Sequence, residues 1–133
     1  MKVWKVVLVD EEGMWSVFMR WRQVLRKRAK RYSIGKTTTR DEGCGPLVAC
    51  STLEAAIECS SYFIDEFLYA SDDFRTYEDD EFTLVILECG AIPSHDRILT
   101  IAEIESTMHV DSITSEWKSV TCESITPIKI VER

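Results

Sequence analysis

Residues 43–68 read GCGPLVACSTLEAAIECSSYFIDEFL and residues 81–90 read EFTLVILECG; these two stretches decide the fold. Leu47-Val48-Ala49-Cys50 is an apolar tetrad behind Gly43, Gly45 and Pro46, too short for a helix and bounded by chain breakers, so it reads as a buried strand. Ser51-Thr52-Leu53-Glu54 has the pattern of a capping box, with the Ser51 hydroxyl accepting from the N–H of Glu54 and the Glu54 carboxylate from the N–H of Ser51. Beyond it Leu53, Ala56, Ile57, Ser60, Phe63, Ile64, Phe67 and Leu68 recur at helical spacing and predict one buried face. Phe82 to Cys89 is apolar on both faces, the mark of a central strand covered on both sides, and Gly90 and Pro93 are placed to end it.

Upstream, Trp4 to Val9 reads as a strand with Trp4, Val6 and Leu8 on one face and Lys5, Val7 and Val9 on the other. Asp10-Glu11-Glu12-Gly13 supplies a turn, and Met14 to Trp21 alternates as the return strand of a hairpin. Tyr32 to Lys36, followed by Thr37-Thr38-Thr39, reads as a turn and a short strand. Downstream, a short helix is expected about Thr100–His109. Trp117–Ile125 and Ile128–Val131 are expected as closing strand segments split by Pro127, which favours an edge or a bulge. The sum predicts an α+β fold in a single globular domain spanning residues 1–133. It is a twisted, mostly antiparallel sheet with the Ser51–Leu68 helix on one face and a lesser helix nearby, its first and last strands side by side.

The 133 residues are 45% hydrophobic and 29% charged, the balance of a soluble globule that buries about two-thirds of its extended surface. No apolar run approaches the ~20 residues that span a bilayer, and Val6–Val9 runs into three acids before it could serve as a secretory core. A cytoplasmic chain with no membrane partner is therefore expected. The five cysteines are odd in number and none are paired as C-x-x-C, which points to reduced thiols rather than a disulfide framework or a zinc site. Cys50, Cys89 and Cys122 stand in apolar contexts, as small hydrophobes.

The net charge of −7 divides sharply: residues 1–40 carry 11 lysines and arginines against 3 acids, and the remainder 5 against 20. Arg20, Arg22, Arg26, Lys27, Arg28, Lys30 and Arg31 form a basic run with Trp21 inside it and Tyr32 beside it, while Asp72, Asp73, Glu78, Asp79 and Asp80 form an acidic surface. Cations for phosphates and rings for bases would suit a nucleic acid. A protein of net negative charge approaches a polyanion poorly, so a protein partner is favoured. The acids lack the ligand register of an EF-hand.

No nucleophile elbow, phosphate loop, metalloprotease helix or dinucleotide fingerprint is present, and His95 and His109 have no ligand-spaced partner. The sequence thus names no cofactor, no metal and no catalytic residue; a Cys–His pair would have to be assembled in space. The run Gly43-Cys44-Gly45-Pro46-Leu47-Val48-Ala49, a helix, then LVILECGAIPS resembles the poly(ADP-ribose) polymerase-like ADP-ribosyltransferases over about a third of the chain. That resemblance implies a nucleotide-binding cleft beside Leu47 and Ser51. The family's active-site tyrosine falls at Leu47, no His-Gly precedes it, and Glu123 is the lone acid in its closing strand, so the implied site is degenerate. The layout also resembles small uncharacterised bacterial and phage proteins, through Trp4–Val7, Tyr32–Lys36, Leu53–Ala56 and Ile128–Val131. This second resemblance implies a non-catalytic accessory protein of phage or mobile-element origin that engages a protein partner through its segregated charges. The alternatives are a degenerate ADP-ribosyltransferase-like nucleotide binder or enzyme, and a nucleic-acid binder.

Overall fold

The structure, a computed structural model, describes residues 1–17, 20, 29–41, 46–69, 82–95 and 119–131, with helix side chains described as far as Ile64. Seven strands occur among them: β1 (Lys2–Asp10), β2 (Gly13–Ser16), β3 (Arg31–Tyr32), β4 (Thr38–Thr39), β5 (Leu47–Cys50), β6 (Thr83–Pro93) and β7 (Ser119–Val131). The helix α1 runs from Leu53 to Tyr69. Every pairing is antiparallel, as expected, but the sheet is not open. β1 pairs with β6, β6 with β7, β7 with β5, and β5 returns to β1 through Trp4↔Cys50. The result is a small closed four-stranded barrel, with β2, β3 and β4 as extensions. The first and last strands are therefore not neighbours: β6 and β5 separate them on either side of the ring.

Closure sorts the side chains. A four-stranded ring is too narrow to hold a helix of roughly 10 Å diameter, so α1 packs outside it, on β1, β5 and β6. The interior takes Val3, Val7, Tyr32, Leu47, Ala49, Leu87, Cys89, Cys122 and Ile125. The layer beneath the helix takes Val6, Leu8, Val17, Cys50, Ala55, Ala56, Cys59, Phe63 and Ile86. Both faces of β1 and β6 are thus covered, which is why residues 83–89 show no polar alternation. Cys122 and Ile125 both reach the interior although their spacing is odd. The register shift between Ile92 and Pro93 leaves Glu123 out of the ladder and flips the parity of β7. A second shift, between Glu88 and Cys89, falls at Pro127–Lys129, where the proline predicts it; β7 passes through as one strand.

Two local readings shift by a residue or more. The return strand β2 stops at Ser16, and Val17 and Arg20 take helical backbone. The helix cap is Thr52, not Ser51: Thr52 Oγ1 accepts from Ala55 N at 3.1 Å and its carbonyl from Ala56 N at 3.2 Å. Ala55 then occupies the place a capping box needs for Glu, so there is no box. The buried face is correspondingly Ala55, Ala56, Cys59, Ser60 and Phe63, while Ile64 is 46% exposed. Small residues at four of those five positions bring the helix axis close to the barrel. Phe67 and Leu68 side chains, and the helix expected about Thr100–His109, lie outside the described residues.

Candidate functional site

The hairpin that opens the chain is fixed by one carboxylate. Asp10 Oδ1 accepts from Glu12 N (2.9 Å), Gly13 N (3.1 Å) and Trp15 Nε1 (3.0 Å), so a single side chain closes the turn and orients the indole. Gly13 sits at φ +144°, and a Cβ there would meet Arg31 Nε at 3.0 Å. Asp10 Oδ2 accepts from Arg20 Nε at 3.0 Å, and Arg20 Nη2 donates to Glu12 at 2.7 Å. The Arg20 guanidinium lies 3.8 Å from the centre of the Trp15 ring and that of Arg31 5.6 Å from it.

This geometry divides the basic run. Arg20 is 5% exposed and committed to Asp10 and Glu12, so it is an internal residue and not part of a binding surface. Lys30 is half-buried and ion-paired with Asp41 at 2.6 Å, while Arg31 is exposed. Tyr32, expected as a ring for stacking, is fully buried and faces Lys5 inside the barrel. Trp21, Arg22, Arg26, Lys27 and Arg28 lie outside the described residues, as do Asp72, Asp73, Glu78, Asp79 and Asp80. Among the described residues, Arg20 meets Asp10 and Glu12, and Lys30 meets Asp41.

The positions singled out by the ADP-ribosyltransferase resemblance do not converge. Leu47 is 2% exposed and points into the barrel, Ser51 is half-buried ahead of the helix, and Glu123 is ion-paired with Arg40 at 3.2 Å on the outside. His95 is exposed and His109 is undescribed. Among the described residues no group of three His, Cys, Asp or Glu is placed to hold a metal.

Sequence reasoning missed Lys5. Alternation puts it on the face shared with Val3 and Val7, and closure makes that face the barrel interior, where Lys5 is 1% exposed. Its Nζ donates to Val48 O at 2.6 Å and stands 5.6 Å from the centre of the Tyr32 ring. A buried ammonium requires such partners, because stripping its water is otherwise prohibitive. The β1–β5 ladder consists of Trp4↔Cys50, so this side-chain bond is a second link across the seam that closes the ring. No local signal marks it.

Four cysteines are described, all buried and none disulfide-bonded. Cys89 and Cys122 stand inside the barrel and donate to the carbonyls two residues earlier, Leu87 O and Val120 O. Burial pushes the Cys89 thiol up to about 12, so it stays protonated. Cys50, on the outer face of β5, and Cys59, on the inner face of α1, lie in the same core layer. The neighbouring Cys59 side chain lowers the Cys50 pKa against the opposing effect of burial, and the Lys5 ammonium adds to the lowering. The same neighbour, with burial, raises Cys59.

Comparison with protein-family models, with curated proteins and with solved structures finds no match. Among the described residues no helix is long and apolar enough to cross a membrane.

Proposed function

We propose that the chain is a non-catalytic binding protein that engages a protein partner through its charged outer surface. The observation that supports this reading is the filled barrel. Val3, Val7, Leu47, Leu87 and Ile125 occupy the ring interior at 2% exposure or less, so recognition falls to the outside. The side chain that stands where the resemblance expects a catalytic tyrosine is one of those five and faces away from solvent. The charge division supplies the specificity: a basic first third and an acidic remainder favour a partner of complementary charge.

The burial of Arg20 sharpens the test. Arg22, Arg26, Arg28 and Arg31 are changed together to glutamine and Arg20 is left alone. The full chain is crosslinked to its partner in cells, the partner is identified by mass spectrometry, and binding is remeasured with both components purified. The expected result is a melting temperature nearly unchanged and affinity lost, with wild-type binding weakening as salt rises, since screening acts within ~8 Å at physiological ionic strength. Affinity indifferent to the four changes would refute the reading. Gel shifts with DNA and RNA address the alternative: tight retardation at physiological salt would put nucleic acid first.

A further inference from the structure

We propose that Arg31 anchors the protein partner: its guanidinium, seated on the Trp15 ring, takes a carboxylate from an acidic segment of that partner. This contact rests on the reading of the chain as a protein-binding module and gives that module its chemistry. Two guanidiniums share one ring and differ. Arg20 stands 3.8 Å from the centre of the Trp15 ring and Arg31 5.6 Å from it. Arg20 is interior and has its carboxylates, Asp10 on Nε at 3.0 Å and Glu12 on Nη2 at 2.7 Å. Arg31 is exposed, and among the described residues no carboxylate is paired with it.

Register builds the seat. Trp15 is directly opposite Arg31 in the β2–β3 ladder, so the ring and the side chain share a face of the sheet. The indole is itself held, donating from Nε1 to Asp10 Oδ1 at 3.0 Å. Gly13 supplies the room: a Cβ there would meet Arg31 Nε at 3.0 Å and Nη2 at 3.2 Å. One residue along, Ser16 N donates to Lys30 O at 2.8 Å and Lys30 N to Ser16 Oγ at 2.9 Å, which ties the two strands together beside the seat. A ring attracts the cation without consuming its N–H donors, so the planar fork is left for a bidentate carboxylate. A long side chain already held by a ring and a turn also loses less freedom on binding than one free in water.

The charges around the seat favour a carboxylate over a phosphate. Asp10 and Glu12 stand on the other guanidinium of the same ring, Glu11 is exposed in the same turn, and Lys30 is balanced by Asp41 at 2.6 Å. A phosphate group, with roughly two negative charges, would face these acids across the turn. A carboxylate brings one charge and two oxygens, the match for one guanidinium fork.

The full chain, labelled with nitrogen-15, is titrated with a short capped polyglutamate peptide, and with polyglutamine and phosphoserine peptides beside it. The Arg31 Nε–H and Trp15 indole N–H resonances are expected to move with polyglutamate and to stay still with polyglutamine. Arg31→Lys keeps the charge and gives up the planar fork. It is expected to weaken binding of polyglutamate and of the purified protein partner about tenfold, the worth of one hydrogen bond to a charged group, with the melting temperature unchanged. An unmoved Arg31 resonance, equal binding by Arg31→Lys, or tighter binding of the phosphoserine peptide would overturn the inference. A companion variant changes Arg22, Arg26 and Arg28 to glutamine and keeps Arg31. Partner affinity lost in that variant but untouched by Arg31→Lys would overturn the anchor and leave the charged-surface reading standing; affinity untouched by either would overturn both.

Discussion

The barrel interior and the layer beneath the helix use the same materials and solve the same problem differently. Each buries valines, a leucine or isoleucine or both, and two cysteines. Inside the ring three polar groups each find a strand carbonyl: Lys5 takes Val48 O, Cys89 takes Leu87 O and Cys122 takes Val120 O. Under the helix, the Ser60 and Ser119 hydroxyls are buried without a hydrogen-bond partner among the described residues. The reason lies in the backbone. Where a ladder is short or bulged a strand leaves carbonyls near its own side chains, whereas a helix interior consumes its carbonyls in bonds four residues apart. Polar side chains between a helix and a sheet therefore have fewer backbone acceptors within reach than those inside the barrel.

The largest test of this contrast falls on the helix layer. Phe63 is its largest buried side chain, in one cluster with Ile86 and, packed against it, Phe82 and Leu84, and Phe63→Ala should cost roughly 3–5 kcal/mol in a denaturant melt. A loss within error would mean that α1 is not docked by that ring. Lys5→Met comes next. It keeps the stem volume, strands Val48 O and removes the second link across the β1–β5 seam, for an expected loss of about 1–3 kcal/mol. Amides of β5 should exchange faster with it while those of α1 do not; equal acceleration in both would erase the distinction between the two layers. The smallest effect separates two adjacent residues. Thr52→Ala should cost about 1 kcal/mol and Ser51→Ala should fall within ~0.5 kcal/mol, since the cap is made by Thr52 Oγ1. The reverse order would restore the capping box.

Much of the architecture was legible from local pattern. The apolar tetrad Leu47–Cys50, the helix behind it and the two-sided strand at residues 83–89 stand where periodicity places them, although β6 runs on through Gly90, read as a breaker, to Pro93. The turn at Asp10–Gly13 was legible because Asp and Gly carry its geometry themselves. The helix face was read a step off, because Leu53, Ile57 and Ile64 are larger than the Ala55, Ala56, Cys59 and Ser60 that lie closest to the barrel. Periodicity weighs hydrophobicity, while close approach selects for size. The basic run was read as one surface, yet Arg20 is interior. Its partner Asp10 stands ten residues earlier, and a turn's acid gives no sign that it will also hold a guanidinium.

By itself the sequence determined most of the elements: which segments extend, though not how far β2 runs, where the helix starts to within a residue, that Pro127 marks an edge or a bulge, and how unevenly charge is distributed. Tertiary structure alone decided that the sheet closes. The closing contact, Trp4↔Cys50, joins residues far apart in the chain and has no period, spacing or turn to announce it. Closure in turn decides that one face of β1 is an interior, that Lys5 lies there with Val48 O as its partner, and that Cys50 and Cys59 share the layer beneath the helix. Alternation fixes which side chains share a face; only the completed ring fixes whether that face is inside or out.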